Sequence, residues 1–115
     1  MGQIYRGNLR RDVRHDHPVL LVTVGETTYR TTDWSLGGVA LVGVDPGLAV
    51  DQDVQGFLAA ESAQDRIVAF MATVVRVDTE SGLTALRFRD LSASGFAFLE
   101  GLLASAQRRR AMSGT

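Results

Sequence analysis

The sequence predicts an all-β fold, a six-stranded antiparallel β-barrel with one C-terminal α-helix and a flexible N-terminal arm. Three observations lead there. Between residues 18 and 90 the chain is a succession of short runs rich in β-branched and aromatic residues, parted at regular intervals by glycine-containing turns. After residue 92 the apolar period changes from that of a strand to that of a helix. Residues 1–17 are polar, hold most of their charge as arginine and carry no sustained apolar period.

Each element has its own warrant. Val19–Val24 is an apolar run after Pro18, Gly25-Glu26 turns the chain, and Thr27–Asp33 returns as the second strand of a hairpin. Gly37-Gly38 leads into Val39–Val42, Asp45-Pro46-Gly47 is a turn signal, and a fourth strand lies around Val54–Ala59. The longest candidate is Ile67–Val77. Its odd positions (Ile67, Ala69, Met71, Thr73, Val75, Val77) and its even ones (Val68, Phe70, Ala72, Val74) are both mostly apolar. Burial on both sides near its middle is therefore expected, which favours a closed barrel over an open sheet. Glu80-Ser81-Gly82 turns into a last strand, Leu83–Phe88. Ser92 or Ser94 can cap a helix whose Phe96, Leu99, Leu102, Leu103 and Ala106 share one face, with Arg108–Arg110 at the negative end of its dipole. Trp34, Phe57, Phe70 and Phe88 are expected in the core. The organisation is thus an arm, 1–17, and one domain, 18–110.

Composition excludes several function classes. At 115 residues there is room for one domain. With no cysteine, a disulfide framework, a thiolate zinc site and a cysteine nucleophile all drop out. The formal net charge of −1 is unevenly spread: residues 1–15 hold Arg6, Arg10, Arg11 and Arg14 against Asp12, and the middle of the chain is acidic. That acidic middle, with 7% aromatics explained by core packing, argues against a nucleic-acid polymer as partner. No run approaches the ~18 apolar residues of a membrane helix, and the first residues hold no signal-peptide core, so a cytoplasmic location without membrane insertion is expected. His15 and His17 lack a third ligand at suitable spacing, so no metal is expected. Ser35 is not in a nucleophile elbow, and Gly43–Gly47 lacks the lysine of a phosphate loop. An enzyme is not expected.

Two constellations remain. Arg10 and Arg14 are four residues apart, so they point the same way whether the arm is extended or helical. Their guanidinium forks suit phosphates and the O6/N7 edge of guanine. At the exit of the second strand, Asp33 and Ser35 face one side and Trp34 the other, presenting a carboxylate and a hydroxyl together. Gly38 would let a ligand or a strand approach the backbone closely.

An Arg-x-x-x-Arg arm, a hairpin of about twenty residues and then Asp-x-Ser-x-x-Gly resembles the PilZ domain, a receptor for the bacterial second messenger cyclic di-GMP. The likeness runs over about residues 9–103, through Pro46-Gly47, Val74-Val75-Arg76 and a closing strand ending in Phe88. It implies a PilZ-like barrel that binds cyclic di-GMP through Arg10, Arg14, Asp33, Ser35 and Gly38, with Arg11 on the ligand or facing solvent. It also implies that the arm orders on binding and switches contact with a protein partner or a domain in cis, with no cofactor and no bond chemistry. The other reading is a PilZ-like interaction module that does not bind nucleotide. The Asp-Trp-Ser-Leu-Gly-Gly form is similar to that of modules attached to exopolysaccharide machinery, so regulation of exopolysaccharide or motility is the expected output, and the chain would then be a module of a larger protein. The sequence departs from the family at His15-Asp16-His17 and at Ala85, where a glycine is common. Leu9, where a further arginine would extend the motif, favours one ligand molecule over an intercalated pair.

Overall fold

The computed structural model describes residues 13–113, the last eight of these by their backbone alone. β1 (Leu20–Val24) and β2 (Thr27–Ser35) form the first hairpin, with Val24 opposite Thr27. Gly25 takes φ 62° at the first central position of its two-residue loop, where a right-twisted hairpin wants a positive φ. β3 (Gly38–Val42) returns beside β2. In the next loop the Asp45 carboxylate accepts the Gly47 amide at 2.8 Å, an Asx turn that fixes the Pro46-Gly47 bend. β4 (Asp53–Ala60), β5 (Ala63–Asp78) and β6 (Leu83–Leu91) follow. Between β5 and β6 the Asp78 carboxylate accepts the Glu80 and Ser81 amides at 3.1 and 3.2 Å. α1 (Ala93–Ser113) starts at Ser92, whose Oγ accepts the Gly95 amide at 3.1 Å, the bond of an N-cap to the third helical residue.

All pairings are antiparallel, and the order β1-β2-β3-β6-β5-β4 closes because β1 pairs with β4 as well as β2. The expected six-stranded barrel and C-terminal helix are both present. Leu20, Val22, Trp34, Leu41, Leu58, Ala72 and Val74 fill the interior, and Leu99 of α1 is fully buried against them. Buried hydroxyls have local partners: Thr31 Oγ1 accepts the Leu20 amide at 3.0 Å and Thr84 Oγ1 donates to the Gly43 carbonyl at 2.7 Å.

Three expectations need correction. β5 is not buried on both sides: Val68, Phe70, Ala72 and Val74 line the interior, while Ile67, Ala69, Met71 and Val75 are exposed. A small barrel has one interior, and among the described residues no second layer covers the outside of β5 along these positions. Phe57 is 54% exposed, because it alternates with the inward Gly56 and Leu58 and stands opposite the outward Ala69. Phe70 and Phe88 do meet as the sequence predicts, edge to face with centroids 5.6 Å apart. In α1 the deeply buried aromatic is Phe98, with Phe96 half-buried, because the start of β5 reaches that side of the helix and lays the Arg66 guanidinium 5.3 Å above the Phe98 ring. Leu102 and Leu103 pack on the core as expected, and the side chains of Ala106 and Arg108–Arg110 lie outside those described.

Candidate functional site

The site begins with a break of parity in β2. Thr31 stands opposite Leu41 and Asp33 opposite Ala40, so β2 uses two residues where β3 uses one. Thr32 is the extra residue of a β-bulge. Tyr29 and Thr31 are buried, and strict alternation would carry Asp33 and Ser35 inward behind them. The bulge puts Trp34 into the core and turns Asp33 and Ser35 to the other side of the strand, where Asp33 is partly exposed and Ser35, at 1% exposure, is buried. Trp34 is fully buried, as the sequence predicts, and its indole N–H donates to the Pro18 carbonyl at 2.8 Å.

The segment before β1 then runs antiparallel to the end of β2. The His15 amide donates to the Trp34 carbonyl at 2.7 Å, and the Trp34 amide donates back to the His15 carbonyl at 2.8 Å. The two rings lie 5.5 Å apart on one side of this ladder. Alternation sends Arg14 to the other side, where Asp33 and Ser35 are. Its Nε–H donates to Asp33 Oδ1 at 2.7 Å, Nη1 to Ser35 Oγ at 3.1 Å and Nη2 to the Asp33 carbonyl at 3.4 Å. Ser35 Oγ also accepts the Gly37 amide at 3.1 Å, so both of its lone pairs are used and its proton is what it has left to offer. The Arg14 and Asp33 side chains remain 43% and 39% exposed, which keeps this ion pair in the range of ~1 kcal/mol or less.

Gly38 closes the motif. A Cβ at Gly38 would lie 2.2 Å from the Leu86 carbonyl oxygen and 3.1 Å from the Arg87 Cα. The missing side chain is therefore used by β6, which also binds the turn through the Phe88 amide and the Gly37 carbonyl at 2.9 Å. Of the two approaches the sequence leaves open at Gly38, the strand makes this one.

Arg14, Asp33, Ser35 and Gly38 are thus brought together. Arg10 and Arg11, with the arm up to residue 12, lie outside the described residues. His17 and Asp16 pair with each other at 3.3 Å, and no group of three metal-ligating side chains occurs among the described residues. What the sequence reading missed was the bulge, and its signal was present: Tyr29, Thr31, Asp33 and Ser35 share one parity, yet the large apolar Trp34 has the other. Farther along the outer face, Thr73 Oγ1 and Arg89 hydrogen-bond to Asp53 at 2.9 and 2.6 Å, in that order holding its carboxyl below the usual carboxylate range.

Fold and site define a class: a small closed barrel with an arginine-bearing N-terminal segment fastened across an Asp-x-Ser-x-x-Gly turn. A family model for the PilZ domain matches residues 6–105, and the chain belongs to that family. PilZ domains are binding and regulatory modules, and the family is one of cyclic di-GMP receptors. Among solved structures the chain is similar to the Bacillus subtilis inhibitor of motility MotI/DgrA, with 26% identity and a TM-score of 0.63 over 88% of this chain and 51% of that one. It therefore spans about half the length of that protein. Comparison with curated proteins gives no match. Among the described residues no helix is long and apolar enough to cross a membrane.

Proposed function

We propose that this domain binds cyclic di-GMP through Arg10, Arg14, Asp33, Ser35 and Gly38, with Arg11 at the edge of the site, and passes occupancy to a partner protein or a domain in cis. The observation that supports this best is the contact of Arg14 with both Asp33 and Ser35. A fork that pairs with carboxylate pairs equally with phosphate or with the O6/N7 edge of guanine. Asp33, once released, is an acceptor for guanine N–H groups, and Ser35 keeps one donor. Binding is therefore an exchange of partners at Arg14, with the ordering of the N-terminal arm over the ligand as the switch. No bond is made or broken. We place the module in the bacterial cytoplasm, with control of motility or exopolysaccharide as its output.

The test is a calorimetric titration of the chain with cyclic di-GMP, with GTP as control. Saturable binding that GTP does not reproduce is expected, at one molecule per domain. Arg14→Ala and Asp33→Ala should each weaken it by roughly 1–3 kcal/mol, the scale of a lost bidentate or charge-assisted bond to a base. Absence of heat and of thermal stabilisation at high ligand concentration would leave the protein-interaction module as the function.

A further inference from the structure

Arg87 stands apart from the other arginines. Among the described residues Arg14, Arg30, Arg76 and Arg89 each pair with a carboxylate, and Arg66 lies over Phe98. Arg87 has no such contact and is exposed. Asp33 of β2 and Asp53 of β4, each two strands away, are committed elsewhere, Asp33 to Arg14 and Asp53 to Arg89.

Its place is set by register. Ser35 is opposite Gly38, Gly38 is opposite Arg87, and Arg87 is opposite Thr73. Directly opposed residues share a face, so Ser35 and Arg87 lie in one outward row with a residue that has no side chain between them. Two strand spacings, about 10 Å, separate their backbones. The next outward row holds Asp33, Ala40 and Ala85, and the last two are again small. The surface between Arg14 and Arg87 is thus a low shelf with a guanidinium at each rim. The contact of β6 with Gly38 brings the root of Arg87 against the Asp-x-Ser-x-x-Gly turn.

We infer that Arg87 is a further ligand contact, binding a phosphodiester oxygen of the dinucleotide from the side opposite Arg14. This rests on the reading of the site as a cyclic di-GMP site. Among the described residues Arg87 has no ion pair to give up when it meets a phosphate, whereas Arg14 must exchange one.

The experiment is titration of the full chain and of Arg87→Ala, Arg87→Lys and Arg14→Ala with cyclic di-GMP at low and high salt, with a thermal melt of each. Arg87→Ala is expected to bind about five- to tenfold more weakly at low salt, with the difference from wild type narrowing as salt screens the exposed charge. Arg87→Lys should recover part of the loss, and the melting temperatures should coincide, since Arg87 makes no ion pair among the described residues. Wild-type binding that Arg14→Ala loses and Arg87→Ala retains in full would overturn the role of Arg87 and leave the site standing. No binding by the wild type would overturn both.

Discussion

The barrel has two contrasting outer faces built on one interior. Over β2, β3 and β6 the outward positions include Asp33, Ala40, Ala85 and Arg87, polar or small, with Val42 exposed at the end of β3, and a segment from before β1 is fastened beside the buried Ser35. Over β4 and β5 they include Phe57, Ile67, Ala69 and Met71, apolar and exposed, with Asp53, Gln55 and Thr73 at one end. Inward, both halves supply the same kind of residue, Trp34, Val39 and Leu86 on one side and Leu58, Val68 and Val74 on the other. Folding fixes the inward half of each strand and leaves the outward half to binding. Each half of the barrel also contains a glycine that admits a neighbouring strand, Gly38 on the outside and Gly56 on the inside: a Cβ would lie 2.2 Å from the Leu86 oxygen at Gly38 and 2.2 Å from the Thr23 oxygen at Gly56.

The strongest way to break this comparison is to attack what the faces share. Trp34→Ala removes the largest fully buried side chain and should cost about 3–5 kcal/mol in urea unfolding, the usual range for a deleted core aromatic. A single transition is expected, seen alike by probes on either face. A biphasic curve, in which β4–β5 outlasts β2–β3, would mean that the interior is not one unit. The second test separates the faces. Gly38→Ala and Gly56→Ala each force a methyl onto a backbone oxygen and should each cost about 1–3 kcal/mol, the range for overpacking. Only Gly38→Ala should also weaken cyclic di-GMP binding, because only there does the displaced strand border the site. Equal loss of affinity in both would show that Gly38 acts through stability alone.

The same division explains what was legible in the sequence. Strand number, the turns at Gly25, Asp45-Pro46-Gly47 and Glu80-Ser81-Gly82, and the burial of Trp34 follow from local chemistry, and all were readable. Arg14, Asp33, Ser35 and Gly38 were readable as a motif. Their meeting depends on Thr32, whose bulge changes the parity of β2, and on the His15–Trp34 ladder, which joins segments nineteen residues apart. Phe57 and the odd positions of β5 were misjudged for a related reason. An apolar residue in a strand has no label saying which side of the sheet will be covered, and only barrel closure decides it. Phe98 likewise depends on where β5 starts relative to the helix.

A smaller effect concerns the charges that edge the two faces. Asp53 is held below the ordinary carboxylate value of 3.8 by Thr73 and then Arg89, and Asp78 by the Ser81 and Glu80 amides with Arg76. A depressed folded-state pKa means that the folded form binds the proton less readily than the unfolded one. The stabilisation is therefore complete above pH 3.8 and is lost as pH falls from there through the folded values. Thermal melts from pH 7 to pH 3 should be level at first and then decline below about pH 4, and Asp53→Asn should shallow the decline. A decline that began well above pH 4, or one that Asp53→Asn left unchanged, would show that these two carboxylates do not set the acid limit.

The smallest effect should come from the apolar face. Ile67 is 61% exposed and Phe57 54%, so Ile67→Ser and Phe57→Ser remove little area that folding had taken from water. Urea unfolding of each should agree with the wild type within about 0.5 kcal/mol, the usual limit for surface positions, and cyclic di-GMP binding should be unchanged. A loss of 2 kcal/mol or more would mean that this face is covered in the folded chain in solution, and the contrast with the arginine face would fail. If stability and ligand binding both hold, the cost of keeping isoleucine, phenylalanine and methionine in water is not repaid by folding.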